Sequence, residues 1–166
     1  MSINAMANLV SSDGTTQNFE VGAEYRDKAG NVYVYCKATA ATIKAYAACS
    51  GATPGVVEEA TTTTATALGT AGGFACVPQF AVGASEYFWA VVESPMGLNW
   101  DGSTTIKVFS ENQTLNTLCY STATDGNLDD ASGGSAIPLI GVLTTATTTT
   151  AAATKFTTFR RMGWLK

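Results

Sequence analysis

The sequence predicts an all-β domain: an antiparallel β-sandwich or β-barrel with long hairpin loops and an extended N-terminal arm. Three observations carry that expectation. Short runs with apolar residues at every second position recur along the chain, the period of a half-buried strand. Gly, Asn, Asp and Pro separate most of those runs, as in Gly72-Gly73, Pro95-Met96-Gly97, Asp101-Gly102 and Gly133-Gly134, which is how sandwiches and barrels punctuate their strands. The 26 Thr, 26 Ala and 16 Gly make up about two residues in five, and such a chain favours strands and small-residue loops. Helical periods nowhere alternate with strands, so an α/β enzyme fold is excluded. At 166 residues the chain has the length of one domain. A domain of that size buries roughly 70% of its unfolded surface without needing a disulfide or a metal.

Residues 1–16 are small, polar and aperiodic, ending in Ser11-Ser12-Asp13-Gly14-Thr15-Thr16; they read as an extended arm or a disordered terminus. A single β domain then occupies 17–166. It opens with Phe19, Val21, Ala23 and Tyr25 alternating against Asn18, Glu20, Gly22 and Glu24. After Asp27-Lys28-Ala29-Gly30-Asn31, where Gly30 supplies the positive φ of a turn, comes a second alternating run. Val32, Val34 and Cys36 face one way there, and Tyr33, Tyr35 and Lys37 the other, which makes a hairpin. Residues 38–48 are ambiguous: their Ala content permits a short helix, while Thr39, Thr42 and Ile43 favour extended structure. Further strand-like runs follow at 56–60, 74–82, 87–93, 104–109, 115–120, 137–143 and 155–164. Pro78 confines its run to an edge or a bulge.

Two runs are apolar on both faces: Tyr87, Trp89 and Val91 oppose Phe88, Ala90 and Val92, and Leu139-Ile140 also leaves no polar face. Such strands are either central in a two-layer core or closed on one face by another subunit. The Thr tracts at 61–64 and 147–150 read as solvated hairpin ends or inter-subunit strands, each following an Ala-x-Pro start that marks a duplicated hairpin.

Charge is unevenly distributed. Residues 45–154 carry nine acids against Lys107 alone, a net of −8, whereas residues 155–166 carry Lys155, Arg160, Arg161 and Lys166 with no acid. The overall charge of −4 and pI near 4.6 argue against nucleic acid as a partner. No stretch has the ~18 consecutive apolar residues of a membrane span, so no membrane is expected either. The N-terminus lacks a basic and then apolar leader; the expectation is therefore synthesis in a reducing cytoplasm, with Cys36, Cys49, Cys76 and Cys119 as free, buried thiols.

The absence of His removes Ser-His-Asp and Cys-His triads, His-based zinc sites and imidazole proton shuttles. The cysteines form no C-x-x-C pair. Glu58 and Glu59 point to opposite faces if they share a strand, and cannot act as a pair. Glu86 or Glu93 with Asp101 is the remaining glycosidase-like combination. Residues 125–130 (Asp-Gly-Asn-Leu-Asp-Asp) imitate the start of a calcium loop, but an EF-hand is excluded by Asp130 where Gly is required and Ala136 where Glu is required. No enzyme activity, cofactor or metal is expected. Arg160 and Arg161, close to Phe159 and Trp164, are residue types enriched at protein interfaces.

The opening hairpin Tyr25–Cys36, the aromatic strand Tyr87-Phe88-Trp89-Ala90-Val91 and the turn Tyr120–Asp130 come first in a recognisable order. Ile137-Pro138-Leu139-Ile140-Gly141-Val142 and the closing Arg160-Arg161-Met162-Gly163-Trp164 complete it. Over residues 17–166 this order resembles the small head decoration, or cement, proteins of tailed bacteriophages. The resemblance implies a virion protein on the capsid exterior, made in the host bacterial cytoplasm and often trimeric. It would bridge major capsid proteins against internal DNA pressure. On that expectation the partners are the major capsid protein and further copies of this chain as a homotrimer. Arg160, Arg161, Trp164, Tyr33, Tyr35 and Trp89 are the candidate capsid or subunit contacts. The alternatives are a carbohydrate-binding or adhesive β-sandwich using Trp89, Trp100, Tyr33 or Tyr35 as sugar platforms, and a phage tail or fibre component.

Overall fold

The computed structural model describes residues 11–53, 55–61, 74–95, 106–111, 119–130, 138–140, 142–143 and 152–157. Among these there is no helix, and twelve strands form two sheets. The first sheet holds β1 (Glu24–Arg26), β2 (Val32–Ala38), β3 (Cys49–Thr53), β4 (Val56–Glu59), β5 (Phe74–Cys76) and β6 (Tyr87–Glu93). The second holds β7 (Lys107–Glu111), β8 (Cys119–Ser121), β9 (Leu128–Asp129), β10 (Pro138–Ile140), β11 (Val142–Leu143) and β12 (Ala152–Thr157).

The expected opening hairpin is present. Glu24, Tyr25 and Arg26 pair antiparallel with Val34, Tyr33 and Val32. Gly30 takes φ +86°, the left-handed conformation that a side chain disfavours, and turns the chain between them. The first strand is shorter than its alternation predicts, because residues 17–23 form bends and turns ahead of Glu24. Residues 38–48 contain no helix; Ile43 instead exchanges two main-chain bonds with Val82, both 2.9 Å.

β2 is the hub of the first sheet. One edge pairs over six positions with β6, and the other carries β1 and then, past Tyr35, the start of β4. The order continues from β4 to β3 to β5. Val77, just beyond β5, then bonds in both directions with Val91 of β6, at 2.8 and 3.0 Å. The sheet therefore curls round until its ladder closes through that single bridge. Pro78 has no N–H to give, so pairing stops there, as a proline in the run requires.

Expected alternation decides which side is inside. Val32, Val34, Cys36 and Ala38 of β2 join Phe88, Ala90 and Val92 of β6, Val57, Cys49 and Cys76 in one buried cluster within the curl. The opposite faces, Tyr33, Tyr35, Trp89 and Val91, join Ile106, just ahead of β7, and Val108, Cys119 and Leu128 from the second sheet in another. β6 is thus apolar on both faces because both faces are covered by this chain. Of the two explanations for such strands, the two-layer core is the one this strand obeys.

The sheets are mixed rather than purely antiparallel. β2 runs parallel to β4, and β7 parallel to β9. Parallel neighbours need a long crossover, and residues 39–53 supply one, carrying the chain from the end of β2 through β3 before β4 returns. Gly55 makes the return possible. A Cβ there would lie 2.4 Å from Val21 Cγ1 and 2.9 Å from the Gly22 nitrogen, and φ is +77°.

The two sheets are stitched by short, specific contacts. The Gln79 side chain imitates a strand, donating to the Lys107 carbonyl and accepting from the Lys107 N–H, both at 2.9 Å. Tyr46, at φ 66°, donates its N–H to Pro78 and accepts from Phe109 N–H. The Gly126 main chain donates to Ala60 and accepts from Ala48.

Candidate functional site

The densest gathering of aromatic and polar groups lies on the outer face of the curled sheet. Phe19, Tyr35 and Trp89 form a triangle with ring centroids 5.1–5.3 Å apart. Tyr87 stacks on Tyr35 at 6.0 Å, and Tyr25 meets Trp89 edge-on at 6.2 Å. Edge-to-face and offset contacts of this kind add to simple area burial. Lys37 places its ammonium over the Tyr87 ring, 5.3 Å from the centroid.

Tyr35 is buried, and its hydroxyl is satisfied from the arm. The hydroxyl donates to Asp13 Oδ2 at 2.7 Å and accepts from Asn18 N–H at 3.2 Å. Burial, then the Asp13 carboxylate, push its pKa up to about 12. Beside it the main chain of residues 13 and 14 is laid against Tyr87: Asp13 N–H donates to the Tyr87 carbonyl, and Tyr87 N–H to the Gly14 carbonyl, both at 2.8 Å. A Ser12 hydrogen bond and the Gly83 N–H, in that order, hold the Glu86 carboxyl below its ordinary range. The last residues of the sequence-defined arm are therefore tied to the end of β6. Residues 1–10 lie outside the described residues.

A second polar group is internal. Asp27 accepts from Asn31 N–H (2.9 Å), Asn31 Nδ2 (2.8 Å) and the Tyr33 hydroxyl (3.1 Å), while Ser94 Oγ donates to Asn31 Oδ1 at 2.7 Å. Burial first, then the Asp27 charge, drive the Tyr33 pKa well up. This network locks the Gly30 turn; a buried carboxylate satisfied on three sides is a structural device. Among the described residues, two buried side-chain polar atoms have no hydrogen-bond partner, Ser50 Oγ and Trp89 Nε1.

Tyr33, Tyr35 and Trp89, the expected interface or sugar-stacking residues, lie inside the chain's own core. They are 3%, 0% and 4% exposed, their faces covered by Phe19, Tyr25, Tyr87 and the second sheet. An aromatic on a strand serves the core as readily as a ligand, and the second layer decides between the two. Arg160, Arg161, Trp164 and Trp100 lie outside the described residues, as do Asp101 and, apart from Thr61, both Thr tracts.

Glu58 and Glu59 occupy successive positions of β4, so they do point apart. Glu59 is engaged by Lys44, whose N–H lies 2.6 Å from Oε1 and whose ammonium lies 3.3 Å from Oε2. Among the described residues no group of three or more carboxylate or thiol side chains is placed to hold a metal ion, and the Asp125–Asp130 segment is a turn leading into β9. All four cysteines are buried and outside any disulfide, as expected. Burial, then the Asp130 charge, raise the Cys119 thiol to about 12. Cys36 and Cys76 approach within 4.0 Å at sulfur.

Sequence reasoning missed the attachment of Asp13 and Gly14 to Tyr87, the left-handed Tyr46 and the meeting of the thiols. The first had a faint signal, since Ser-Asp-Gly followed by Thr is turn chemistry. The other two depend on which strands become neighbours. No protein-family model, curated protein or solved structure matches the chain.

Proposed function

We propose that this chain is a non-enzymatic structural protein that attaches to the outer surface of a bacteriophage head and strengthens the shell by bridging major capsid proteins. The observation that carries the reading is the division of charge. Residues 45–154 have a net charge of −8, and the last twelve residues concentrate +4 beside Trp164. A shell-binding protein needs a rigid body and a separate adhesive segment. The body supports this role, because the faces of its central strand β6 are consumed by its own core. Contact is then left to the segments at either end: the arm, and the basic C-terminal segment with Arg160, Arg161 and Trp164. The order of features shared with cement proteins supports the same reading. Many copies, each burying a modest interface, reinforce one another through multivalency.

With β6 covered from within, a homotrimer would be built on the terminal segments rather than on the aromatic strand. The sugar-binding alternative loses Tyr33, Tyr35 and Trp89 as platforms. Cosedimentation of the purified chain with undecorated phage heads and, separately, with tails tests the proposal. Saturable attachment to heads is expected, with affinity reduced about tenfold or more by Arg160→Glu with Arg161→Glu, equivalent to ~1.4 kcal/mol. Attachment to tails alone, or to neither, overturns it.

A further inference from the structure

Three of the four cysteines, spread along the sequence, meet inside the curled sheet. Cys36 comes from β2, Cys49 from β3 and Cys76 from β5, and all three belong to one buried cluster, whereas Cys119 belongs to the other. Cys49 and Cys76 are opposite partners on neighbouring strands. Cys36 and Cys76 are not on neighbouring strands, since β4 and β3 lie between theirs in the sheet order. Their sulfurs still lie 4.0 Å apart, in contact across the interior. Cys76 also interacts with Cys49, so it is the centre of the trio.

Small apolar residues would fill this space without sulfur. We propose that Cys36 and Cys76 form a latent disulfide site, joined when the protein meets an oxidising medium, with Cys49 left reduced beside them. Each thiol gives up its proton, one S–S bond forms, and two electrons pass to a thiol oxidant. A diazenedicarboxamide is thereby reduced to its hydrazine, or a small disulfide to two thiols. The sulfurs close from 4.0 Å to about 2.05 Å, a movement that side-chain rotation and a slight shift of β5 supply.

The site is slow by construction. Thiolate is the attacking species, and burial keeps the Cys49 and Cys76 thiols protonated. Reaction therefore waits for β5 to open, and β5 faces β6 across the closure made by Val77 and Val91. Once formed, the bond holds that closure from inside and fixes a loop spanning 40 positions, which restricts the unfolded chain. The site would be set once rather than respond reversibly. Its timing, reduced in the host cytoplasm and oxidised after release, rests on the capsid reading; its chemistry does not.

The full-length purified chain is treated with diazenedicarboxamide under native conditions, unfolded, alkylated and digested without reductant for mass spectrometry. Expected are two alkylated cysteines instead of four, a peptide pair linked through Cys36 and Cys76, and a melting midpoint raised by roughly 10 °C and restored by dithiol reductant. Cys119→Ala leaves the product unchanged, and Cys76→Ala abolishes it. Four alkylated cysteines after prolonged native oxidation overturn the proposal, as does a link through Cys119, between Cys49 and Cys76 in the unsubstituted chain, or between two chains. The unsubstituted protein decides the matter even if Cys76→Ala does not fold. Failure here leaves attachment to heads untouched, and failure to attach leaves this chemistry untouched.

Discussion

The Tyr35 ring lies in the aromatic cluster while its hydroxyl holds Asp13 and Asn18. Tyr35→Phe keeps the ring and loses both bonds, so a loss of about 1–2 kcal/mol is expected in urea titration, with faster proteolysis ahead of residue 15. The hydroxyl also sets a pH dependence. Its pKa is raised from 10.0 to about 12 in the folded protein, so the folded state holds the proton more tightly than the unfolded chain. The stability this contributes is fully present below pH 10 and is lost as pH rises through about 12. Tyr33 acts in the same direction. Urea midpoints measured across that alkaline range should fall, and fall less in Tyr35→Phe. Glu86 has the opposite sign: its pKa is lowered from 4.5, so its contribution is present above that value and disappears on acidification. Ser50 is a different case. Its hydroxyl is buried without a partner, and Ser50→Ala is expected to leave stability unchanged or raise it by up to ~1 kcal/mol in the same titration.

Among the strands, the β2–β6 ladder is paired over six positions and the β5–β6 closure through one bridge. Val77→Pro removes the N–H that bonds Val91 and extends the block already imposed by Pro78. A loss of about 3 kcal/mol or more is expected, seen as accelerated amide exchange at Val91 before exchange at Val34. The hairpin and the two faces of β2 were legible because alternation and a turn glycine are local signals. Tyr87–Glu93 was legible to the residue as an unbroken run of aromatic and β-branched residues, whereas the run expected over 74–82 ends as a strand at Cys76, ahead of Pro78. The strand Cys49–Thr53 was not legible, since Cys-Ser-Gly-Ala-Thr has neither alternation nor bulk and is a strand because β4 and β5 flank it. The parallel pairings were hidden likewise: they join segments whose proximity is created by a crossover, and no window of sequence contains both partners. The burial of Tyr33, Tyr35 and Trp89 was not legible, because a lone strand cannot reveal that a second sheet covers it.

The assembled protein combines a self-sufficient core with an unequal charge distribution, and its proposed attachment should follow the charge. Occupancy on heads is expected to fall as salt rises, because Arg160 and Arg161 would act at partly solvated contacts; head-bound protein measured over a salt series checks this. The register between the two sheets has a longer-term implication. It depends in part on Gln79, whose amide both donates to and accepts from Lys107. A side-chain amide can hydrolyse with age, which a main-chain strand in its place would not do in the same way. Conversion of Gln79 to glutamate would remove the donor and set an oxygen against the Lys107 carbonyl. A particle that persists for long periods outside a cell would thus carry a chemical clock at the seam between its layers, and Gln79→Glu reproduces its end point in advance.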